Sequence, residues 1–288
     1  MDRRLPGWFS GLLVGGCFAL LYWLESRRPL RQPHEAKAHR TARNLTVGAV
    51  TAVALALTER PMSVRLSPLV HERGWGLLRL AGLPTWLEGA LAIVLLDYTL
   101  YLWHVATHRV PFLWRFHLVH HIDRELDASN ALRFHCGEMV LSVFWRAGQI
   151  LLIGVAPLPL SIWQTLLLVE ILFHHSNVRL PISLERILVR FVVTPRMHGI
   201  HHSMIQSEVN SNWSSGLTLW DRLHGTLRLD VEQSEIEVGV PAYRDAGLGL
   251  PALLALPFRP LRDGWPSLDD QTRAGQSRVS EDVARRLR

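Results

Sequence analysis

The stretch Asp97-Tyr-Thr-Leu-Tyr101-Leu-Trp-His104-Val-Ala-Thr-His108-Arg109-Val-Pro-Phe-Leu113-Trp114-Arg115-Phe-His117-Leu-Val-His120-His121 joins the end of an apolar run to five histidines. On a helix, residues i and i+4 lie on one face about 6 Å apart, so His104 and His108 can reach one metal ion. In His117-x2-His120-His121, positions i, i+3 and i+4 again share a face, and three imidazoles are expected to converge. The same H-x2-H-H spacing returns 81 residues later in Pro195-Arg-Met-His198-Gly-Ile-His201-His202. Between the copies stand His135 and the pair His174-His175. The chain holds 15 histidines in 288 residues, and this clustering reads as metal binding.

Ligand count bears on the number of ions. One zinc takes four ligands, and a catalytic zinc usually three from the protein. The three boxes supply eight histidines, too many for one ion and suited to two. Imidazole accepts zinc, copper, iron or nickel, so ligand type leaves the element open. No H-E-x-x-H occurs, which argues against a helical zinc-protease site, and the carboxylate pattern of soluble four-helix di-iron proteins is also missing.

The remainder reads as a membrane protein. Hydrophobic residues make up 48% and charged residues 19%, below the usual charged share of soluble domains. Leu5 to Leu24 carries no charge and is long enough to span a bilayer. No small-residue cleavage site follows it, so a retained helix is expected rather than a signal peptide. Asn44 to Thr58 is a shorter span. Trp86 to Trp103 is a third, interrupted by Asp97, and an acid at that depth faces a protein interior or a site. Ala147 to Val169 is uncharged but holds Pro157 and Pro159, which break a helix, so Met139 to Phe173 reads as a helical hairpin.

Arg27, Arg28, Arg31, Lys37, Arg40 and Arg43 lie between the first two spans and place that loop in the cytoplasm. Every histidine group then falls on the cytoplasmic face. The net charge of +6 sits beside apolar segments and is not interleaved with exposed aromatics, so the membrane is the expected partner and nucleic acid is not. Cys17 and Cys136 form no disulfide framework or zinc knuckle. The fold class expected is all-α: an integral membrane helical bundle with a cytoplasm-facing, histidine-rich helical cap.

Beyond the boxes, Asp97-Tyr-x2-Tyr101-x2-His104, Leu113-Trp114-Arg115-x-His117, Arg133-x-His135-x2-Glu138, His175-Ser-Asn177 and Trp220-Asp-Arg-Leu-His224-Gly-Thr226 form a series. Over roughly residues 40 to 230, this series resembles the fatty acid hydroxylase/sterol desaturase superfamily, with His224 where its closing motif has Phe. The resemblance implies three regions. Residues 1–43 are an N-terminal transmembrane helix and basic loop, 44–230 the catalytic domain, and 231–288 a polar, partly flexible C-terminal tail.

It also implies a membrane-bound oxygenase with two iron ions, zinc being a possible substitute, and O2 as co-substrate. Such an enzyme hydroxylates or desaturates a C–H bond of a lipid: sterol, fatty acyl or related. The electrons come from an external donor of ferredoxin or cytochrome type, because the chain has no heme-binding H-P-x-G-G and no cysteine cluster.

The carried-over metal ligands are His104, His108, His117, His120, His121, His198, His201 and His202, with a further one from His174 or His175. Lipid hydroxylases of the superfamily carry H-x3-H there; this chain has Glu170 at the first position and His174 at the second. Other branches keep the His before Ser-Asn, which points to His175. Glu170 reads as a substituted ligand or an acceptor behind one. His135 reads as ligand, ligand-orienting partner or structural residue. Asp97, Asp123 and Glu138 are candidates to accept the second N–H of a ligating imidazole, or to cap buried helix ends. No catalytic side chain is expected beyond the metal ligands. Two other classes fit the residues: a zinc-dependent membrane hydrolase using the same cage, and a non-catalytic metal-binding membrane protein.

Overall fold

The computed structural model describes residues 4–244 and 248–265. It is helical, and among the described residues β-pairing is limited to isolated bridges such as Pro29–Val178. The helices are α1 (Gly7–Arg27), α2 (Lys37–Leu57), α3 (Glu59–Arg73), α4 (Leu77–Leu80), α5 (Thr85–Arg109), α6 (Pro111–His121), α7 (Cys136–Gln149) and α8 (Pro157–His175). Short helices follow: α9 (Ile182–Leu188), α10 (Pro195–His201), α11 (Gln206–Val209), α12 (Leu219–Leu223) and α13 (Leu250–Ala255).

Among the described residues, five segments are long and apolar enough to cross a membrane: Gly7–Arg27, Lys37–Leu80, Thr85–Arg109, Cys136–Gly154 and Pro157–His175. Their outer faces carry bulky apolar side chains, with Trp8 72%, Leu12 69% and Phe144 76% exposed. Water would not tolerate so continuous an apolar belt, whereas lipid would. The second span is longer than the uncharged Asn44–Thr58 stretch. Its first turns carry Lys37, Arg40 and Arg43 into the cap, and α3 continues it at the other end.

The end of the bundle opposite the histidines is closed by polar contacts. Arg4 donates to the Ser63 carbonyl at 3.0 Å, Gln164 to Glu59 at 2.7 Å, and Arg79 pairs with Glu88 at 2.8 Å. Between the two polar ends lies an apolar core that includes Val70, Leu96, Ile150, Leu160 and Trp163.

The expected hairpin is present. α7 ends in a π-turn over Ile150–Gly154, and α8 starts at Pro157. Pro157 and Pro159 fall in the first turn of α8, where backbone N–H groups have no helical partner to lose. Gly154 makes the bend at φ +87°, and a Cβ there would lie 2.7 Å from the Trp75 carbonyl oxygen.

Over the histidine end sits the cap, pinned by a buried ionic knot. Asp123 accepts from Asn44 at 3.1 Å and from Asn130 and Arg133 at 3.2 Å. Arg133 also donates to the Val119 carbonyl of α6 at 3.0 Å, and Arg40 binds Asp127. Burial alone would raise the Asp123 carboxyl. Arg133, Arg40 and the two amides nevertheless hold it below the usual carboxylate range.

The described part of the region after residue 230 is packed rather than loose. Val240, Tyr243, Leu253 and Leu256 share a core with Leu118 and Val119. Trp265 donates to the Met204 carbonyl at 3.1 Å. Within the expected 231–288 tail, the described residues are thus packed as far as Trp265, and residues 266–288 lie outside the described residues.

Replacing Gly154 with Ala should lower the unfolding midpoint in detergent, by about 1–3 kcal/mol of stability, because a side chain is forced into left-handed backbone against Trp75. An unchanged midpoint in a thermal melt would refute the tight-bend account.

Candidate metal centre

The histidine boxes meet at the membrane-side floor of the cap, where they form two clusters. His104, His108, His117, His121 and His201 make one, and His120, His175, His198 and His202 the other; within each, one nitrogen per ring lies within 4.8 Å of all the others. α5 contributes His104 and His108, α6 contributes His117, His120 and His121, and α8 contributes His175. α10 contributes His198 and His201, with His202 at its C-cap.

The three rings of each H-x2-H-H box do not converge on one point, as the spacing alone suggests. Each box divides between the clusters: His117 and His121 enter the first and His120 the second, while His198 and His202 enter the second and His201 the first. Helix geometry gives the reason. Residues four apart differ by about 40° around the axis, but adjacent residues differ by about 100°. The i and i+4 rings therefore share a cluster, and the i+3 ring swings toward the neighbouring one. The parallel stack of His121 on His202, with centroids 4.2 Å apart and planes at 11°, is where the clusters touch.

In the first cluster, the Nε2 atoms of His108, His117, His121 and His201 are buried without a hydrogen-bond partner. Several rings are fixed by their other nitrogen. His104 Nδ1 donates to the Trp213 carbonyl at 2.7 Å, His201 Nδ1 to the Ser211 carbonyl at 2.9 Å, and His117 Nδ1 to Glu138 at 3.0 Å. Donation from Nδ1 leaves the Nε2 lone pair free and aimed inward.

In the second cluster His175 Nδ1 donates to the Ile171 carbonyl at 2.7 Å. Successive Nε2 atoms are 3.0 Å apart for His120–His175, 3.0 Å for His175–His198 and 3.1 Å for His198–His202. A cation about 2.1 Å from two nitrogens at a right angle would hold them about 3.0 Å apart. The donor set and its spacing thus fit two metal ions.

Protonation agrees. Burial, and then crowding by neighbouring imidazoles, keeps His120, His121, His198 and His202 well below the ordinary histidine range. Burial pushes His201 down to about 3. These rings are neutral at physiological pH and present lone pairs, the form in which imidazole binds a metal.

The remaining candidates have other settings. His174 is buried, with its ring centroid 4.1 Å from that of His198, but belongs to neither cluster. His135 caps α7, accepting from Gly137 N at 2.9 Å and donating to the Leu254 carbonyl at 3.1 Å. Glu138 orients an imidazole. Asp97 instead accepts from Leu217 N at 3.1 Å and Trp220 Nε1 at 2.6 Å, and Asp123 serves the ionic knot. Glu170 lies half-buried beside Asp97 at Gly216, where a Cβ would stand 2.4 Å from Asp97 Oδ1 and 2.7 Å from Glu170 Oε2. His224 stacks on Tyr101 with centroids 5.0 Å apart and planes at 17°, so an aromatic ring suffices at that turn.

The loop Ser211–Ser214 is a functional element that motif reading passes over. Its carbonyls orient His201 and His104, and Asp221 holds it by accepting from Trp213 N at 3.0 Å and Ser214 N at 2.9 Å. A backbone acceptor leaves no side-chain signature; the only signal was the nearby Trp220-Asp221 motif.

Residues 89–226 match the family model named fatty acid hydroxylase. The chain carries a fatty acid hydroxylase domain. Ornithine lipid hydroxylase OlsE of Rhizobium tropici is 32% identical over 179 residues, which is 61% of this chain and 51% of the relative. Human cholesterol 25-hydroxylase is 30% identical over 139 residues, 47% of this chain and 49% of the relative. Human alkylglycerol monooxygenase is 28% identical over 167 residues, 55% of this chain and 35% of the relative. The matched segment thus spans about half the length of the first two relatives and a third of the last. No solved structure matches. The five apolar helices found among the described residues, together with these relatives, support a multi-pass membrane protein.

Substituting Glu138 with Gln should weaken metal binding about 10–100-fold, because the ring of His117 loses its carboxylate acceptor. Metal titration of the purified protein measures this, and wild-type affinity would remove Glu138 from the site.

Proposed function

We propose that the protein is a membrane-bound, di-iron lipid hydroxylase that inserts oxygen from O2 into a C–H bond of a sterol, fatty acyl or related lipid. The observation that carries this reading is the pair of touching clusters with five and four imidazoles. A five-nitrogen cluster exceeds the tetrahedral demand of zinc, and the 3.0–3.1 Å nitrogen spacing suits right-angled coordination. The named relatives favour hydroxylation over desaturation, since each is called a hydroxylase or monooxygenase.

His104, His108, His117, His121 and His201 would hold one iron, and His120, His175, His198 and His202 the other. When bound, two irons supply the redox chemistry of oxygen activation, which no side chain of the protein can provide. The chain's residues do the rest. Glu138 and the carbonyls of Ser211, Trp213 and Ile171 keep His117, His201, His104 and His175 in one tautomer with Nε2 inward. Of the nine rings only His108 is not fully buried, so bulk water is excluded from the remainder.

The electrons are supplied from outside, by a donor of ferredoxin or cytochrome type, because the only cysteines are Cys17 and Cys136. The basic residues from Arg27 to Arg43, which run from the end of α1 through the loop into the first turns of α2, favour a cytoplasmic position for the clusters, where such a donor is available.

The ligand assignment separates two neighbours. His175→Ala should lower bound iron from two equivalents toward one, while His174→Ala should retain two, as read by elemental analysis of the purified protein. Equal losses in both variants would contradict the assignment. For the reaction, lipids of cells with and without the gene are compared under ¹⁸O2. A lipid gaining one labelled hydroxyl, and lost with His120→Ala, is the expected result. An unlabelled, unchanged lipid profile in cells that accumulate iron-loaded protein would overturn the reading.

A further inference from the structure

Two neighbouring features on the histidine side are not used by the metal centre. The first is an open recess of about 470 Å³ at the ends of α1 and α8, lined by Arg27, Arg28, Gln32 and Arg179 among others. No carboxylate lines it. Among the described residues none of the three guanidiniums forms an ion pair; Arg27 only lies over the Trp23 ring at 5.8 Å. The nearby acids are engaged elsewhere, Glu25 with Lys37 at 2.9 Å and Glu185 with Arg196 at 2.7 Å.

The backbone beneath is rigid. Arg179 N donates to the Arg28 carbonyl at 2.8 Å, Leu30 N to the Asn177 carbonyl at 2.8 Å, and Pro29 bridges Val178. Three positive charges are thus held around a concavity with nothing to neutralise them.

The second feature is α9, which begins just past the recess and is inverted for a helix in water. It buries Glu185 to 5% exposure while showing Ile182 at 53% and Ile187 at 54%, and Phe191 beyond it at 64%. A short helix with this pattern lies in the boundary between headgroups and acyl chains. That places the recess at headgroup level, directly above the ends of two spanning helices.

We infer that the Arg27–Arg28–Arg179 recess binds the phosphate of an anionic phospholipid whose acyl chains lie against α9 and the α1–α8 seam. Basic pockets between membrane helices hold such headgroups, each arginine contributing through charge and hydrogen bonding to phosphate oxygens. The site is separate from the imidazole clusters and does not depend on the oxygenase reading.

Native mass spectrometry of the full chain in neutral detergent, offered equal amounts of phosphatidylglycerol and phosphatidylcholine, tests it. Phosphatidylglycerol should be retained at least about tenfold over phosphatidylcholine. R27Q/R28Q/R179Q should bring the two toward parity, with iron content and unfolding midpoint unchanged. If that variant does not fold, R179Q alone should reduce the preference about fivefold. Lack of preference in the unaltered chain, or an unchanged preference in a folded variant, would overturn the proposal. Displacement of the lipid by inorganic phosphate in large molar excess would reassign the recess to a soluble anion.

Discussion

Nine imidazoles packed with their lone pairs facing one another are the constraint around which this protein is built. Uncharged rings at such spacing gain little from each other, and buried nitrogens without partners are costly. The arrangement persists because His104, His117, His175 and His201 are each held from behind by a carboxylate or a backbone carbonyl, and because burial keeps rings such as His120, His121, His198 and His202 neutral. A metal pair held there would satisfy the unmet acceptors.

The rest of the fold serves this arrangement. α5 and α8 bring ligands up from the bilayer, while α6 and α10 lie across the floor of the cap. The Asp123–Arg133 knot ties α6 to α2, and Asp221 ties down the loop whose carbonyls aim His104 and His201. Arg133-x-His135-x2-Glu138 is therefore a set of three separate devices: an anchor for α6, an N-cap for α7 and an orienting acceptor for His117. All three tasks meet at the point where α7 starts.

Much of this was readable in advance. Uncharged stretches gave the spans, and the prolines at 157 and 159 gave the hairpin, because both depend on local composition and backbone chemistry. The boxes marked the histidines that cluster, because i/i+4 spacing has a fixed meaning on a helix. The carbonyl acceptors were not legible, since any residue type can supply one. The packing of residues 248–265 was also hidden: Leu248 to Phe258 is an apolar patch with nothing local to say what it covers, and Leu253 and Leu256 find a core with α6 that only appears once the cap is assembled.

By itself, then, the sequence determined an all-helical membrane chain with its histidines gathered into boxes, because hydropathy and helical period are local properties. Tertiary structure alone decided how the rings are shared. The split of each H-x2-H-H box, the choice of His175 over His174 for the second cluster, and the structural employment of His135 and Asp97 depend on where four helices cross. A ring's partner is set by the angle at which its helix meets the others, and no spacing within one helix contains that angle.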